Sequence, residues 1–155
     1  MITIKEGNLF NAPRGLICHQ VNCKGNMGRG VARTFREKYP RAYYRYLAMC
    51  QTSSAQTLLG TCLFNKEDNN HISCSMFAQD NWRGHNVCNT DYSAFKGCCG
   101  EIKEFIKHNN FPRDYPINMP YGIGAGLGGG DWLIIYSILE EEFEGHYLVL
   151  WRLPK

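Results

Sequence analysis

Between positions 122 and 130 six of nine residues are glycine, and the run stands between an apolar segment ending at Met119 and a helical pattern opening at Trp132. Each glycine costs conformational entropy on folding, so a density far beyond the needs of a turn implies a backbone that must come close to something. A strand that leaves into a glycine loop and then a helix is also the unit of an open α/β sheet, in which ligands sit beyond the carboxyl ends of the strands. A second loop of this kind lies earlier, from His19-Gln20-Val21-Asn22 through Gly25, Gly28 and Gly30 to Val31-Ala32. A helix start adds roughly half a positive charge to such a loop, so each is a place for phosphate, and the pair predicts a phosphate-binding cleft.

The rest of the chain fits that plan. Short apolar or alternating runs at 2–5, 15–21, 61–64, 71–77, 116–119 and 147–153 predict strands, several apolar enough to be covered on both faces. Helical spacing predicts helices over 30–39 (Val31, Phe35, Tyr39), 41–50 (Tyr43, Tyr44, Leu47), 91–108 (Tyr92, Phe95, Cys99, Ile102, Ile106) and 132–143 (Trp132, Ile135, Leu139, Phe143), with Pro40 ending the first. Alternation of the two predicts an α/β three-layer architecture. No repeat, linker or low-complexity tract interrupts the 155 residues, so 1–155 reads as a single domain.

Charge and cysteine usage narrow the class. Seventeen Lys and Arg against fourteen Asp and Glu give +3 without a run of like charge, too sparse for a dedicated nucleic-acid binder and mildly favourable to anionic small ligands. The eight cysteines contain no C-x-x-C pair and are below the density of secreted disulfide scaffolds, which predicts buried thiols in a reduced, cytoplasmic protein. No leader pattern or membrane-length apolar run is present, so no membrane association is expected.

Some motifs have a plain structural explanation. Gly124, Gly126 and Gly129 match G-x-G-x-x-G, but with one helix and one strand remaining there is no place for the acidic residue of a dinucleotide fold. Cys18, His19 and Cys23 are not expected to form a metal site, because neighbours on a strand point to opposite faces. Cys98-Cys99 reads as core packing. Asp131 stands where a helix N-cap is expected, and Asp80 lies in a turn-like stretch.

The segments Cys18 to Gly25, Gly28 to Ala32 and Lys38-Tyr39-Pro40-Arg41-Ala42 resemble the macrodomain family in its ADP-ribose 1″-phosphate phosphatase branch. The likeness continues through Leu59 to Cys62, Phe77 to Gly84 and Met119 to Trp132, nearly the whole chain. It implies a macrodomain-like three-layer α/β/α sandwich with a mixed, mostly parallel central sheet.

The resemblance also implies roles. Asn22 matches the asparagine that hydrogen-bonds the distal ribose. Gly28, Arg29, Gly30 and Val31 match the loop along the pyrophosphate, and Ile123, Gly124, Ala125, Gly126, Leu127 and Gly128 the loop on its other side. Asn8 and Leu9 match the adenine-reading turn, where the family usually carries Asp, and Trp151 and Leu153 fall on the same side. His19 matches the proposed catalytic histidine, donating a proton or orienting a water; Asp131, or failing that Asp80, is the candidate base. The implied function is dephosphorylation of ADP-ribose 1″-phosphate by a monomer without metal or other cofactor, engaging nucleic acid only if ADP-ribosylated. The alternatives are a non-catalytic ADP-ribose-binding module and an ADP-ribosyl hydrolase acting on protein or nucleic acid. The hydrolase branch carries a lysine after the central strand, and none stands between His71 and Gly84.

Overall fold

The computed structural model describes residues 2–81 and 88–154. The chain runs β1 (Ile2–Glu6), a 3-10 turn (Leu9–Asn11), β2 (Gly15–Asn22), α1 (Gly30–Lys38), α2 (Pro40–Thr52), α3 (Ala55–Leu58), β3 (Cys62–Lys66), β4 (His71–Gln79), α4 (Tyr92–His108), β5 (Pro116–Pro120), α5 (Trp132–Glu142) and β6 (Tyr147–Arg152). The six strands form one sheet in the order β1-β6-β5-β2-β4-β3. Every pairing is parallel except β3 with β4. The mixed, mostly parallel three-layer sandwich is therefore as expected.

Period-two alternation divides the core. Leu16 and Cys18 of β2, Cys74 and Met76 of β4 and Leu148 and Leu150 of β6 face α4 and α5, where Phe95, Ile102, Ile135 and Leu139 meet them. On the opposite face Ile17, Val21 and Phe77 pack with Phe35 of α1, Tyr39 between the helices, and Ala42 and Tyr46 of α2. Pro40 occupies the first turn of α2, where its missing N–H is not needed, and Tyr39 closes one helix and opens the next. The buried residues of α2 are Ala42 and Tyr46, whereas Tyr44, expected on the inner face, is 65% exposed.

The sheet creates the cleft by letting two neighbours part. β2 pairs with β4 along its whole length, but with β5 only through Leu16 and Ile17. Beyond Ile17 the chain leaves β2 toward one face and β5 toward the other, which is where an open α/β sheet binds ligands. The register of β2 also shifts between Val21 and Asn22. Among the described residues no helix is long and apolar enough to cross a membrane.

Candidate functional site

A cavity of about 870 Å3 opens at the carboxyl ends of β2 and β5. Its walls are the residues after each strand: Asn26 and Gly28 to Ala32 on one side, Pro120 to Gly129 on the other, with His19, Gln20 and Gln79 between them. No Asp or Glu lines it among the described residues, and Arg29 is the one charged side chain. Such walls accept an anion without a like-charge penalty.

The first wall is organised by Asn22. Its Oδ1 accepts from the amides of Lys24 (3.0 Å) and Asn26 (3.3 Å) and its Nδ2 donates to the Asn26 carbonyl (2.8 Å). The Tyr46 hydroxyl, in the core below, reaches both the Asn22 carbonyl (2.7 Å) and Oδ1 (2.8 Å). Burial pushes the Tyr46 phenol upward, so it remains a donor. The loop folded in this way delivers the chain to α1, whose first residues carry no side-chain cap. The amides of Gly30, Val31 and Ala32 have no partners within the helix and stand at the cavity, an arrangement that attracts negative charge.

The second wall is held by side chains from β2, β4 and the segment before α4. Gln20 Nε2 donates to Gln79 Oε1 (2.8 Å) and Thr90 Oγ1 (2.9 Å), and the Thr90 hydroxyl points at the Gly124 carbonyl (2.7 Å). The amides of Asn89 and Thr90 both donate to the Gly128 carbonyl (2.7 and 3.1 Å), and the Gly130 amide closes onto the Gly124 carbonyl (2.8 Å). Gly124 has φ +77°, and a Cβ there would lie 2.9 Å from Gln20 Oε1 and 3.0 Å from Ile135 Cδ1, so this position must be glycine. Within these constraints the amides of Gly126, Leu127 and Gly128 remain without acceptors among the described residues.

His19 forms the floor. It is 2% exposed, stacks on Phe35 with ring centroids 3.6 Å apart, and brings Nε2 to 3.2 Å from Ser75 Oγ, while Nδ1 has no partner among the described residues. Burial without a counter-charge drops its pKa to about 3, so the ring is neutral at physiological pH.

No family model matches the chain. An ADP-ribose 1″-phosphate phosphatase of Candida albicans is 28% identical over 156 residues, covering 96% of this chain and 98% of that protein. One from Ajellomyces capsulatus is 48% identical over 52 residues, 33% of this chain; the match spans about a fifth of that relative, 20% of its length. Among solved structures, the macrodomain of Mycobacterium tuberculosis DarG superposes with a TM-score of 0.81 at 21% identity, over 100% of this chain and 99% of that one. The fold is that of a macrodomain. Thermosipho africanus DarTG in complex with ADP-ribose is similar at a TM-score of 0.76 and 18% identity, over 98% of this chain and 42% of that one.

The cleft of this macrodomain-like fold brings together His19, Asn22, Gly28, Arg29, Gly30 and Val31 with Ile123, Gly124, Ala125, Gly126, Leu127 and Gly128. Six expected residues, Asp131, Asn8, Leu9, Asp80, Trp151 and Leu153, stand outside its lining. Asp131 is exposed, and its carboxylate accepts from the Leu133 amide (2.9 Å), capping α5, while its own amide donates to the Tyr92 hydroxyl (2.9 Å). Asn8 caps the 3-10 turn by accepting from the Phe10 amide (2.9 Å), and Leu9 is buried. Asp80 pairs with Lys24 at 3.1 Å, both half exposed. Trp151 donates to Asn118 Oδ1 (2.9 Å), and Leu153 is 65% exposed. Trp82, Arg83 and Gly84 of the resemblance lie outside the described residues. Gln20, Tyr46 and Thr90 were not legible as site residues. The one available signal was polarity on an otherwise apolar strand, at Gln20.

Proposed function

We propose that this chain binds ADP-ribose 1″-phosphate in the cleft and hydrolyses its terminal phosphate ester, giving ADP-ribose and phosphate. The observation that carries the reading is the pair of amide-lined walls without a carboxylate, one of them the open N-terminus of α1. It is supported by the similarity to proteins named ADP-ribose 1″-phosphate phosphatase and by the fold shared with a protein solved with ADP-ribose.

Phosphoryl transfer asks little covalent chemistry of a protein, because its charge is spread over the equatorial oxygens and catalysis is positioning plus electrostatic stabilisation. Amides held by Asn22, Gln20 and Thr90 supply that stabilisation at about 2.7–4 kcal/mol for each donor aimed at a developing charge. The diphosphate lies between the walls formed by Gly28 to Val31 and Ile123 to Gly128. Asn22 has one Nδ2 hydrogen left for the distal ribose after folding its own loop. A neutral His19 that donates from Nε2 to Ser75 leaves Nδ1 as the acceptor that orients the attacking water, once substrate binding opens this buried atom to the cleft. Asp131 contributes by fixing the start of α5 below the second wall. Asn8 and Leu9 form the turn toward the adenine. All eight cysteines are free thiols, which fits a cytoplasmic setting, and each chain carries a whole cleft, which requires no second copy.

The absence of a carboxylate base among the described lining residues also favours a second reading, a module that binds ADP-ribose without turnover. Phosphate release from ADP-ribose 1″-phosphate separates the two. The phosphatase reading expects release by wild type and a loss of about 100-fold in His19→Ala with ADP-ribose binding retained. Tight binding of ADP-ribose with no release from the phosphate ester leaves the module.

A further inference from the structure

A group of thiols lies between the sheet and α4, away from the lining of the cleft. Cys18 and Cys74 are register partners on β2 and β4, and Cys62, at the start of the edge strand β3, packs against the same core cluster as Cys18, Cys74 and Cys98. Two sulfur contacts join the entry to β3 with Cys98. Cys62 Sγ lies 3.5 Å from the Cys98 carbonyl, and Cys98 Sγ lies 3.4 Å from the Thr61 carbonyl, next to Cys62. Glycine sets this proximity: a Cβ on Gly97 would come within 3.0 Å of the Gly60 carbonyl, so α4 approaches the entry to β3 more closely than a side chain permits.

The two sulfurs are unlike. Cys98 is fully buried, whereas Cys62 is only partly buried and sits on the edge of the sheet. Burial raises the Cys62 thiol and Glu101 adds to that, but interaction with the neighbouring Cys74 and Cys98 thiols outweighs both and holds it below the ordinary thiol range; Cys62 and burial raise Cys98. Cys74 is a poorer partner for a bridge. Cys62 is registered with Met76, so Cys74 lies diagonally across the ladder, where neighbours are about 7–8 Å apart and their Cβ atoms somewhat closer, against about 3.5–4.5 Å between Cβ atoms in a disulfide.

We propose that Cys62 and Cys98 are a hydroperoxide-oxidised pair, with Cys62 the attacking thiol and Cys98 the resolving one. The Cys62 thiolate attacks the terminal oxygen of the hydroperoxide, the O–O bond breaks, and the leaving oxygen takes a proton to depart as water or an alcohol, which leaves Cys62 as sulfenic acid. The Cys98 thiol then attacks that sulfur, the S–O bond breaks and water leaves with the Cys98 proton. Two thiols are oxidised and one peroxide is reduced. The bridge ties to β3 the helix whose preceding residues, Asn89 and Thr90, hold Gly128 of the cleft.

The test is treatment of the reduced full chain with one equivalent of hydrogen peroxide, followed by non-reducing digestion and mass spectrometry. The expected result is a cross-linked pair of peptides containing Cys62 and Cys98, lighter by two hydrogens than the reduced pair. In Cys98→Ser the expected product is Cys62 sulfenic acid, captured by dimedone. Should that variant fail to fold, the wild-type cross-link decides. A bridge from Cys62 to Cys74, oxidation that starts at the exposed Cys88, or no change in mass overturns the proposal.

Discussion

The imidazole of His19 lies nearly flat on the ring of Phe35, 3.6 Å between centroids and 21° between planes. That stacking removes the histidine from water at the floor of the cleft, and among the described residues no carboxylate lines the cleft to compensate. Its folded pKa of about 3 lies below the ordinary value of 6.5, so between those values the unfolded chain binds a proton that the folded chain refuses. Stability from this group is therefore complete above pH 6.5 and is lost as the pH falls toward 3. Denaturant unfolding at pH 7.5 and 4.5 is expected to show wild type losing roughly 2–3 kcal/mol more than His19→Gln over that interval. Parallel losses in the two proteins would show that the ring is protonated in the fold.

The same neutrality governs ligand binding. ADP-ribose has no phosphate monoester to titrate near neutrality, so its affinity is expected to be level from pH 5.5 to 8. An inflection near pH 6.5 that disappears in His19→Gln would mean that an imidazolium binds the diphosphate.

Tyr46 supports the first wall from beneath. Tyr46→Phe removes the donor to the Asn22 carbonyl and Oδ1 and leaves buried acceptors short of a partner. A loss of about 1–3 kcal/mol in unfolding free energy is expected, together with weaker ADP-ribose binding, because the loop that feeds α1 depends on Asn22. A variant with wild-type affinity would show that the loop does not need this anchor.

Thr90 does the same for the second wall. Thr90→Val keeps the shape, removes the hydroxyl that bridges Gln20 to Gly124, and leaves the Asn89 and Thr90 amides on Gly128. Titration of the variant with ADP-ribose is expected to show a drop of about tenfold, one hydrogen bond's worth, with a modest fall in stability. An unchanged affinity would place the control of this loop elsewhere.

Most of the fold was legible because its signals are local. The strands and long helices follow from apolar periodicity and from Gly and Pro at their ends, and Asp131 was readable as a cap from its place before Trp132. The 3-10 turn at Leu9–Asn11 and the single turn Ala55–Leu58 are too short to show a period. Tyr44 and Tyr46 could not be separated by type. One position on α2 points to the core and the other to solvent, and the core position was fixed by the Asn22 loop, more than twenty residues upstream. The site divides in the same way. Its glycine loops announced themselves, whereas Gln20, Tyr46 and Thr90 act through contacts 20 to 70 residues away in sequence. Asn22 was read through family likeness as a ribose contact, and most of its hydrogen-bonding capacity proves to be spent on its own loop.

Gly126 separates the cradle from the fold. Nothing lies within 4 Å of a Cβ built there, and its backbone is not in the left-handed region, so Gly126→Glu is expected to fold with an unchanged unfolding midpoint. Its carboxylate would then stand where the diphosphate is gripped. Calorimetric titration of ADP-ribose is expected to give saturable binding by wild type and an affinity lower by about 100-fold or more in the variant. Equal affinities in the two proteins would contradict a diphosphate held between these walls.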